Sequence, residues 1–471
     1  MLEFINTYIL GAAVPTALMA GGLFYAVRLR FFNLTHPRAI IKTLAAPSGD
    51  GMSPLRALCL ALAGTLGVGN IVGVASAIYL GGVGAIFWMW VSAAAAMLLK
   101  YAETVLALGH RRTDEFGVRH GGAMYYIRDF FTSHGLGRVG TVLAAIFALL
   151  CVADALSMGC VIQINAVSRS LLGVCGLGTA FTGGVLAVIT VAVLASGRDG
   201  VAALTGRLVP FMTLIYIVMS VAVMVLRRDG LAEAFGSIFA AAFRPESTFG
   251  GAAGFLLSRG VRFGTMRGLM SNEAGCGTAP IAHSGSNATY PAQQGIWGIV
   301  EVFVDTILLC TMTALVIILS LDDVLAYGSD PIMMTLKAYS LVLGRWSEYV
   351  MCIMVLFFGF ATVVCWGHYG IECVEYLARR RRRGWRRAFI VIYGVAVLAG
   401  ALSAPERVWD VADFALGVMT LINLAVICPM SGEVARQTRD YLRTLSRREL
   451  KNRNASVARK KAKHSHSVRN I

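Results

Sequence analysis

The residues from Ser271 to His283 read SNEAGCGTAPIAH, and they interrupt a stretch that is otherwise apolar enough to lie in a membrane. A helix in hydrocarbon must satisfy its backbone N–H and C=O groups internally, because each unpaired group costs several kcal/mol. Two glycines and a proline disturb that pattern here, and Asn272 and Glu273 add polar side chains. The stretch therefore predicts a membrane helix that unwinds at a point where a ligand or another part of the protein completes its hydrogen bonds.

The composition of the whole chain is that of a membrane protein. Of its 471 residues, 57% are hydrophobic and 14% are charged, whereas about a quarter of the residues in soluble domains are charged. Apolar runs of about 20 residues recur, and each could cross a hydrocarbon core of about 30 Å. We therefore predict an all-α polytopic membrane protein. Ten cysteines show no metal-like spacing, so neither a disulfide framework nor a zinc site is indicated.

Eleven membrane spans are predicted along the chain. They lie near residues 5–28, 53–82, 84–109, 139–172, 179–196, 201–226, 257–289, 292–320, 348–378, 388–403 and 405–430. With the N-terminus outside, 31 of the 42 lysines and arginines fall in cytoplasmic segments, including the run Arg379–Arg387 and the C-terminal tail. The positive-inside rule then places the C-terminus in the cytoplasm. Cytoplasmic retention and contact with anionic lipid explain the net charge of +16 better than nucleic acid does.

A second interruption, GTLGVGNIVGVAS from Gly64 to Ser76, lies in the second span. Without the first span ten remain, and the two interrupted spans are the first and sixth of these. Halves of five helices must have opposite topology, and glycine-broken spans at matching positions of inverted halves indicate a transporter's binding site. The predicted organisation is an N-terminal helix and loop (1–50), a first repeat (51–226), an extracytoplasmic connection (227–256), a second repeat (257–430) and a basic tail (431–471).

The chemistry of a broken helix suits a zwitterion together with a cation. The positive end of a half-helix attracts a carboxylate, while free carbonyl groups can bind a small cation such as sodium. The candidate substrate-binding residues at the two breaks are Gly67, Gly69, Asn70 and Gly73 in one span, and Asn272, Gly275, Gly277 and Thr278 in the other. Thr278 is also expected to cap the second half-helix.

Several polar residues of the predicted spans have structural interpretations beside the functional ones. The glycines could simply be helix-packing surfaces, and Glu273 could bridge the broken helix to its neighbours. Lys100 and Glu103 are expected to form an internal pair. Asp154 and Asn165 are eleven residues apart, close to three helical turns, and are expected to share a face that lies near Gln163.

The sequence resembles the alanine or glycine:cation symporter family, the sodium:alanine symporters of prokaryotes. The resemblance extends from about residue 50 to residue 430. It rests on the motifs GTLGVGNIVGVASAIYLGGVGAIFWMW (64–90), KYAE (100–103), GGAMYYI (121–127), GLMSNEAGCGTAPIAH (268–283) and VFVDT (302–306). That family is similar in fold to the leucine-transporter group, which implies an N-terminal helix followed by a 5+5 inverted repeat with broken first and sixth core helices.

The resemblance also implies a function, a coupling ion and further site residues. It implies uptake of a small neutral amino acid, alanine or glycine, driven by Na+ across the cytoplasmic membrane, with no other cofactor. It associates Thr362 with sodium, joined by carbonyl groups near Ala63 and Leu66, and Trp366 with the pocket wall; Gln163 is a further candidate for substrate binding. Cys365 stands where the family commonly has glycine, so the size of the pocket can differ.

Other functions remain open at this point. A proton-coupled carrier or a glutamine-preferring carrier would have the same fold, and so would an amino-acid sensor that binds without transport. An enzyme is not expected, because the sequence offers no pairing of nucleophile and base and no metal motif. Neither the oligomeric state nor the enantiomer of the substrate follows from the sequence.

Overall fold

The computed structural model of the chain describes residues 2–46, 51–115, 117–243, 259–328, 330–378, 381–403 and 406–447. The end of the predicted extracytoplasmic connection, the first two arginines of the run from Arg379 and most of the basic tail lie outside these residues. Helices account for most of the described chain. Strands β1 (Arg112–Thr113) and β2 (Arg119–His120) form a short antiparallel hairpin between two of the helices.

The helices follow one another with short connections. Their bounds are α1 (Leu2–Phe4), α2 (Gly11–Arg28), α3 (Phe32–Thr35), α4 (Pro37–Leu44), α5 (Pro54–Thr65), α6 (Val74–Gly81), α7 (Ala85–Gly109), α8 (Ala123–Ser133), α9 (Gly137–Leu156), α10 (Gln163–Cys175), α11 (Thr179–Ala195), α12 (Gly197–Leu226), α13 (Leu231–Ala242), α14 (Arg259–Asn272), α15 (Ala279–His283), α16 (Pro291–Val302), α17 (Thr311–Ile318), α18 (Leu321–Val324), α19 (Pro331–Leu343), α20 (Trp346–Ala378), α21 (Arg382–Leu402) and α22 (Glu406–Ile427). Residues 431–447 are helical too. The π-helical segments are Ile5–Leu10, Gly69–Gly73, Ser157–Ile162 and Phe303–Cys310.

The apolar helices confirm a polytopic membrane protein. Eight helices of the described residues are long and apolar enough to span a membrane. The pair Pro54–Thr65 and Gly69–Gly81, bent by 54°, would make a ninth span. Large apolar side chains on α11 and α12, such as Phe181, Val188 and Leu214, are exposed, as expected of surfaces that face lipid. The count of eleven spans stays a prediction.

The first bent span begins and ends for local reasons. The Ser53 hydroxyl accepts a hydrogen bond of 3.2 Å from the backbone N–H of Arg56, and Pro54 occupies the first turn of α5, where its missing N–H is harmless. Leu66 then leaves the helical conformation with a ψ of 63°. The π-helical turn that starts at Gly69 restores the helix beyond this break.

The second interruption depends on left-handed backbone. Helix α14 ends at Asn272, after which Glu273 has a φ of +51° and Gly275 and Gly277 have φ values of +83° and +82°. Glycine adopts such angles without steric cost, whereas a side chain such as that of Glu273 rarely does. The short helix α15 follows, and Pro280 lies in its first turn.

Helix α7 lies at the centre of the bundle. Glycines let its neighbours approach closely: a Cβ atom at Gly264 of α14 would lie 2.3 Å from the Ala85 carbonyl oxygen. A Cβ atom at Gly295 of α16 would lie 2.7 Å from the Val105 side chain. Small residues at such contacts are typical of membrane helix packing. Helix α7 thereby holds the two broken spans and α16 in fixed positions.

A histidine ties the end of α7 to two other elements. His110 follows α7, and its ring nitrogens lie 3.0 Å from an Asp129 carboxylate oxygen on α8 and 3.4 Å from one of Glu433 in the segment 431–447. Burial opposes protonation of the imidazole, but the hydrogen bonds to both carboxylates outweigh it and raise the pKa of His110 to about 9. The charged imidazole therefore stabilises this junction near neutral pH.

This junction predicts a pH dependence of stability. Because the folded-state pKa of His110 lies above the reference value of about 6.5, its contribution is complete below pH 6.5 and is lost as pH rises through 9. We expect His110→Asn to abolish roughly 2 kcal/mol of the stability that wild type loses between pH 6.5 and 9.5. Thermal unfolding in detergent measures this, with the exposed His134→Asn as control. An unchanged pH profile for His110→Asn would contradict the assignment.

Candidate binding site at the two helix breaks

The first break brings together residues from three helices. The Thr362 hydroxyl of α20 donates a 2.9 Å hydrogen bond to the Ala63 carbonyl oxygen of α5. The Gln163 side-chain oxygen of α10 accepts a 2.9 Å bond from the freed N–H of Val68. At Gly67 a Cβ atom would lie 2.7 Å from the Thr362 Oγ1 atom and 2.9 Å from the Gln163 Oε1 atom, so only glycine fits. Four of the residues predicted from the sequence thus meet here.

The atoms at this break that could coordinate a cation are oxygens. Leu66, the third residue predicted for a sodium shell, is the residue whose ψ of 63° turns its carbonyl group out of the helical direction. A hydroxyl and backbone carbonyl groups are the ligands that hard cations prefer. The thiol of Cys365 donates to the Leu60 carbonyl oxygen at 3.0 Å. The set of oxygens at Ala63, Leu66 and Thr362 therefore suits Na+ chemically.

Glu273 bridges the second break. Its carboxylate accepts a 2.7 Å hydrogen bond from the Thr278 hydroxyl and a 3.2 Å bond from the indole N–H of Trp366 on α20. Thr278 precedes α15, but its side chain makes no capping hydrogen bond with that helix. The expectation that Thr278 caps the second half-helix, α15, is wrong, because its hydroxyl donates to the Glu273 carboxylate instead.

Glu103 and Asn423 satisfy the backbone that the second break frees. The Glu103 carboxylate accepts hydrogen bonds from the Gly277 N–H at 3.1 Å and from the Asn423 side-chain amide at 3.0 Å. That amide also donates to the Gly275 carbonyl oxygen at 2.8 Å, and the Tyr126 hydroxyl donates to the Asn423 side-chain oxygen at 2.5 Å. Sequence reasoning missed Asn423. Its signal is an asparagine in the apolar second half of the last span.

Asp305 connects the two breaks. Its carboxylate accepts hydrogen bonds from Asn70 at 2.7 Å, from Ser271 at 2.6 Å and from Thr306 at 2.7 Å. Asn272 in turn donates to the Thr306 hydroxyl at 3.1 Å. The side-chain oxygen of Asn70 is buried and has no hydrogen-bond partner among the described residues. Polar side chains of both broken spans thus converge where the π-helical segment Phe303–Cys310 presents Asp305.

A buried ion pair lies beside the second break. The Lys100 ammonium group is 3.2 Å from a Glu301 carboxylate oxygen, and the other oxygen of Glu301 is 2.7 Å from the Nε2 atom of His283. The predicted pair of Lys100 with Glu103 is wrong. Helix α16 packs against α7 and presents Glu301 to the lysine, while Glu103 accepts the N–H of Gly277. His283 is held on its other side by Gln294 at 2.8 Å.

The charges around the two breaks do not balance. Four carboxylates and one lysine in this region are fully buried: Glu103, Glu273, Glu301, Asp305 and Lys100. Buried charges are costly unless they are paired, and intramembrane ionisable residues mark ion and substrate pathways. The formal excess of negative charge favours a bound cation or bound protons at this site.

A cavity of about 260 Å³ reaches the first break from one end of the bundle. Gly69, Gly73 and Gln163 line it, and at its mouth Arg169 pairs with Asp330 at 2.9 Å. The other predicted substrate residues lie outside this lining: Gly67, Asn70, Asn272, Gly275, Gly277, Thr278 and Trp366. Trp366 in particular is fully buried rather than a wall of this cavity.

A second cavity, of about 370 Å³, lies beyond the far end of α20. There the Glu372 carboxylate pairs with Arg198 at 3.1 Å and with His120 at 2.8 Å. These three side chains are at most 13% exposed, whereas Arg169 and Asp330 at the first mouth are 55% and 28% exposed. A cavity with an ionic contact in its lining therefore lies toward each end of the bundle.

Comparison with known proteins points to amino-acid transport. Residues 1–455 match the family model described as the sodium:alanine symporter family. The chain is 34% identical to the sodium/alanine symporter AgcS of Methanococcus maripaludis, over 96% of this chain and 99% of that protein. It is 31% identical to the probable sodium/glutamine symporter GlnT of Bacillus subtilis, over 90% of this chain and 87% of that protein.

Among solved structures, the chain is similar to that of MhsT in complex with L-phenylalanine. The TM-score is 0.57 at 15% sequence identity, over 81% of this chain and 89% of MhsT. At this identity the likeness concerns the fold alone, which is that of the leucine-transporter group.

The Glu273 bridge predicts a specific loss of stability. Thr278→Val keeps the shape of the side chain but leaves a buried carboxylate oxygen without its donor, so we expect a loss of about 2 kcal/mol. The control is Thr182→Val on α11, a buried threonine whose hydroxyl has no partner among the described residues. Thermal unfolding in detergent compares the two variants. Equal stabilities would mean that the bridge does not hold the break.

Proposed function

The chain belongs to the sodium:alanine symporter family, and from this premise we propose that it takes up a small neutral amino acid, alanine or glycine, together with sodium. Proteins of this family are membrane transporters rather than enzymes. The observation that carries the proposal is the meeting of Thr362 with Ala63 beside the break at Gly67. A hydroxyl and carbonyl oxygens there adjoin freed N–H groups, so a cation and a carboxylate can bind side by side.

The proposed substrate site lies between the first break and Asn272. Gly67, Gly69 and Gly73 leave the backbone open to the ligand. The Val68 N–H, which donates to the Gln163 side-chain oxygen in this structure, exchanges that acceptor for the substrate carboxylate. Asn70 and Asn272 complete it through their links to Asp305 and Thr306. The remaining candidates act by shaping the second break: Gly275, Gly277, Thr278 and Trp366.

The proposed sodium site consists of the carbonyl oxygens of Ala63 and Leu66 and the hydroxyl of Thr362. Sodium is a transported ion here, and its charge compensates the excess of buried carboxylates around the breaks. Asp305 and the free side-chain oxygen of Asn70 offer a second place for a cation. Binding of sodium and of the amino acid must favour each other by the same factor if the two are coupled.

The proposed architecture is an N-terminal helix and two inverted repeats of five helices, eleven spans in all, with breaks in the first and sixth core helices. The division follows the ranges 1–50, 51–226, 227–256, 257–430 and 431–471. The N-terminus is outside, the C-terminus is in the cytoplasm, and the basic segments contact anionic lipid of the cytoplasmic membrane. Transport proceeds as one helix bundle rocks against the other, so that the two cavities open in turn.

Three alternatives are retained within the same fold. The 31% identity to a probable sodium/glutamine symporter keeps glutamine as a candidate substrate. The buried carboxylates could bind protons in place of sodium, which keeps proton coupling as a second candidate. A sensor with this fold would bind the amino acid without accumulating it.

Uptake by proteoliposomes tests the proposal directly. We expect labelled alanine to accumulate with an inward sodium gradient and not with a potassium gradient, and a sodium ionophore should release it. Equal uptake with either cation would contradict sodium coupling. Uptake that follows a pH gradient without sodium would establish proton coupling. Accumulation of labelled glutamine but not of labelled alanine or glycine would change the substrate, and binding without accumulation would indicate a sensor.

The sodium site makes a separate prediction for Thr362. Thr362→Val preserves volume and removes one oxygen, which costs about 1.5 to 3 kcal/mol for a bond to a charged group. We expect the sodium concentration for half-maximal uptake to rise at least about tenfold. Thr190→Val, at a fully buried threonine on α11, is the matched control. An unchanged sodium dependence for Thr362→Val would remove Thr362 from the proposed site.

A further inference from the structure

One arginine of the first cavity lacks a carboxylate partner. Arg267 lies on α14, one helical turn before Ser271, and its guanidinium group packs 5.3 Å from the ring centre of Trp409. One terminal nitrogen donates to the Met270 sulfur at 3.0 Å. The Nε atom is buried and has no hydrogen-bond partner among the described residues. A guanidinium group with this much unused donor capacity is suited to an anion.

The charges that line the cavity also favour an anion. Its lining contains two arginines, Arg169 and Arg267, and one aspartate, Asp330. Asp330 already pairs with Arg169, so Arg267 gives the cavity a formal net charge of +1. Asp413 shares a smaller neighbouring cavity with Arg267. Within the part of the chain that the structure describes, however, no ion pair of 4 Å or less joins these two side chains.

We propose that Arg267 captures the carboxylate of the incoming amino acid in this cavity, before the substrate reaches the first break. The inference rests on the proposed function. Stacking on Trp409 holds the plane of the guanidinium group, and a planar guanidinium binds a carboxylate through two parallel hydrogen bonds. Nothing in the family comparison assigns this residue a role.

Arg267 lies close to the first break. A Cβ atom at Gly69 would lie 3.9 Å from the Met270 carbonyl oxygen, so the first break borders the residue that Arg267 contacts. At Gly73 nothing lies within 4 Å of the Cβ position, which leaves the wall open. Gln163 lines the same cavity. The carboxylate can therefore pass from Arg267 to the Gln163 side chain and the freed N–H groups.

A capture residue and a residue of the final site differ in their kinetics. Removing a charge that guides the approach of a ligand lowers the association rate, whereas removing a contact of the bound state raises the dissociation rate. The competing structural role, a charge partner for Asp413, predicts that loss of either side chain has the same effect.

The test is rapid-filtration kinetics of labelled alanine on the full chain in lipid nanodiscs at saturating sodium. For Arg267→Gln we expect an association rate lower by about tenfold and a dissociation rate within about twofold of wild type. Arg267→Lys keeps the charge but loses the planar guanidinium group that can make two parallel hydrogen bonds. Its association rate should be lower than that of wild type by about threefold. The matched control is Arg262→Gln, which lies on the same helix but does not line this cavity. It should bind like wild type, and so should Asp413→Asn.

Three results would overturn the inference. These are an unchanged association rate in Arg267→Gln, an effect confined to dissociation, and an equal effect of Asp413→Asn. If Arg267→Gln does not fold, Arg267→Lys decides, and an unchanged association rate in that variant counts against capture. Wild type that binds neither alanine nor glycine in sodium would refute the proposed function and this inference together. Wild type that binds alanine, with variants that bind equally fast, would refute the capture role alone.

Discussion

The hydrogen bonds that close the second helix break determine the positions of the groups around it. A polypeptide that unwinds inside hydrocarbon exposes N–H and C=O groups that water cannot reach. Here Glu103 accepts the N–H of Gly277, and Asn423 donates to the carbonyl oxygen of Gly275. With these groups satisfied, α14 can end at Asn272. Ser271 and Asn272 then face Asp305 and Thr306 instead of continuing a helix.

The carboxylates that satisfy the unwound backbone also introduce charge into the membrane interior. Accepting freed N–H and hydroxyl groups with carboxylates makes strong hydrogen bonds, but it leaves more buried negative charge than Lys100 can balance. A cation or a proton that enters this region therefore relieves an electrostatic cost. The helix break and cation binding are therefore connected, because the carboxylates that satisfy the unwound backbone also attract a cation.

The sequence predicts some of these features and not others. Hydropathy predicts a polytopic helical membrane protein, and the glycines predict two interruptions, because each signal is local. The contact of Ala63 with Thr362 joins residues 299 positions apart, and it was expected from family resemblance rather than from pattern. The pairing of Lys100 with Glu301 could not be foreseen, because it depends on how α16 packs against α7.

Irregular helix turns limit such inference further. Asp154 and Asn165 were expected to share a face, but the π-helical segment Ser157–Ile162 lies between them and changes the helical period. Asn165 donates to the carbonyl oxygens of Gly400 and Ser403, whereas Asp154 accepts from Ser157. No spacing rule based on 3.6 residues per turn holds across such a segment.

The ionic contacts at the two ends of the bundle differ in strength. The pair of Arg169 with Asp330 is open to water, and exposed pairs of this kind contribute about 1 kcal/mol or less. Arg198 and Glu372 are almost enclosed, so separating them leaves charges with poor solvation and costs several kcal/mol. The Arg169–Asp330 pair therefore separates at little cost, whereas the Arg198–Glu372 pair separates only if another interaction compensates for its loss. The end of the bundle at Arg169 is therefore the one that separates at the lower cost in free energy.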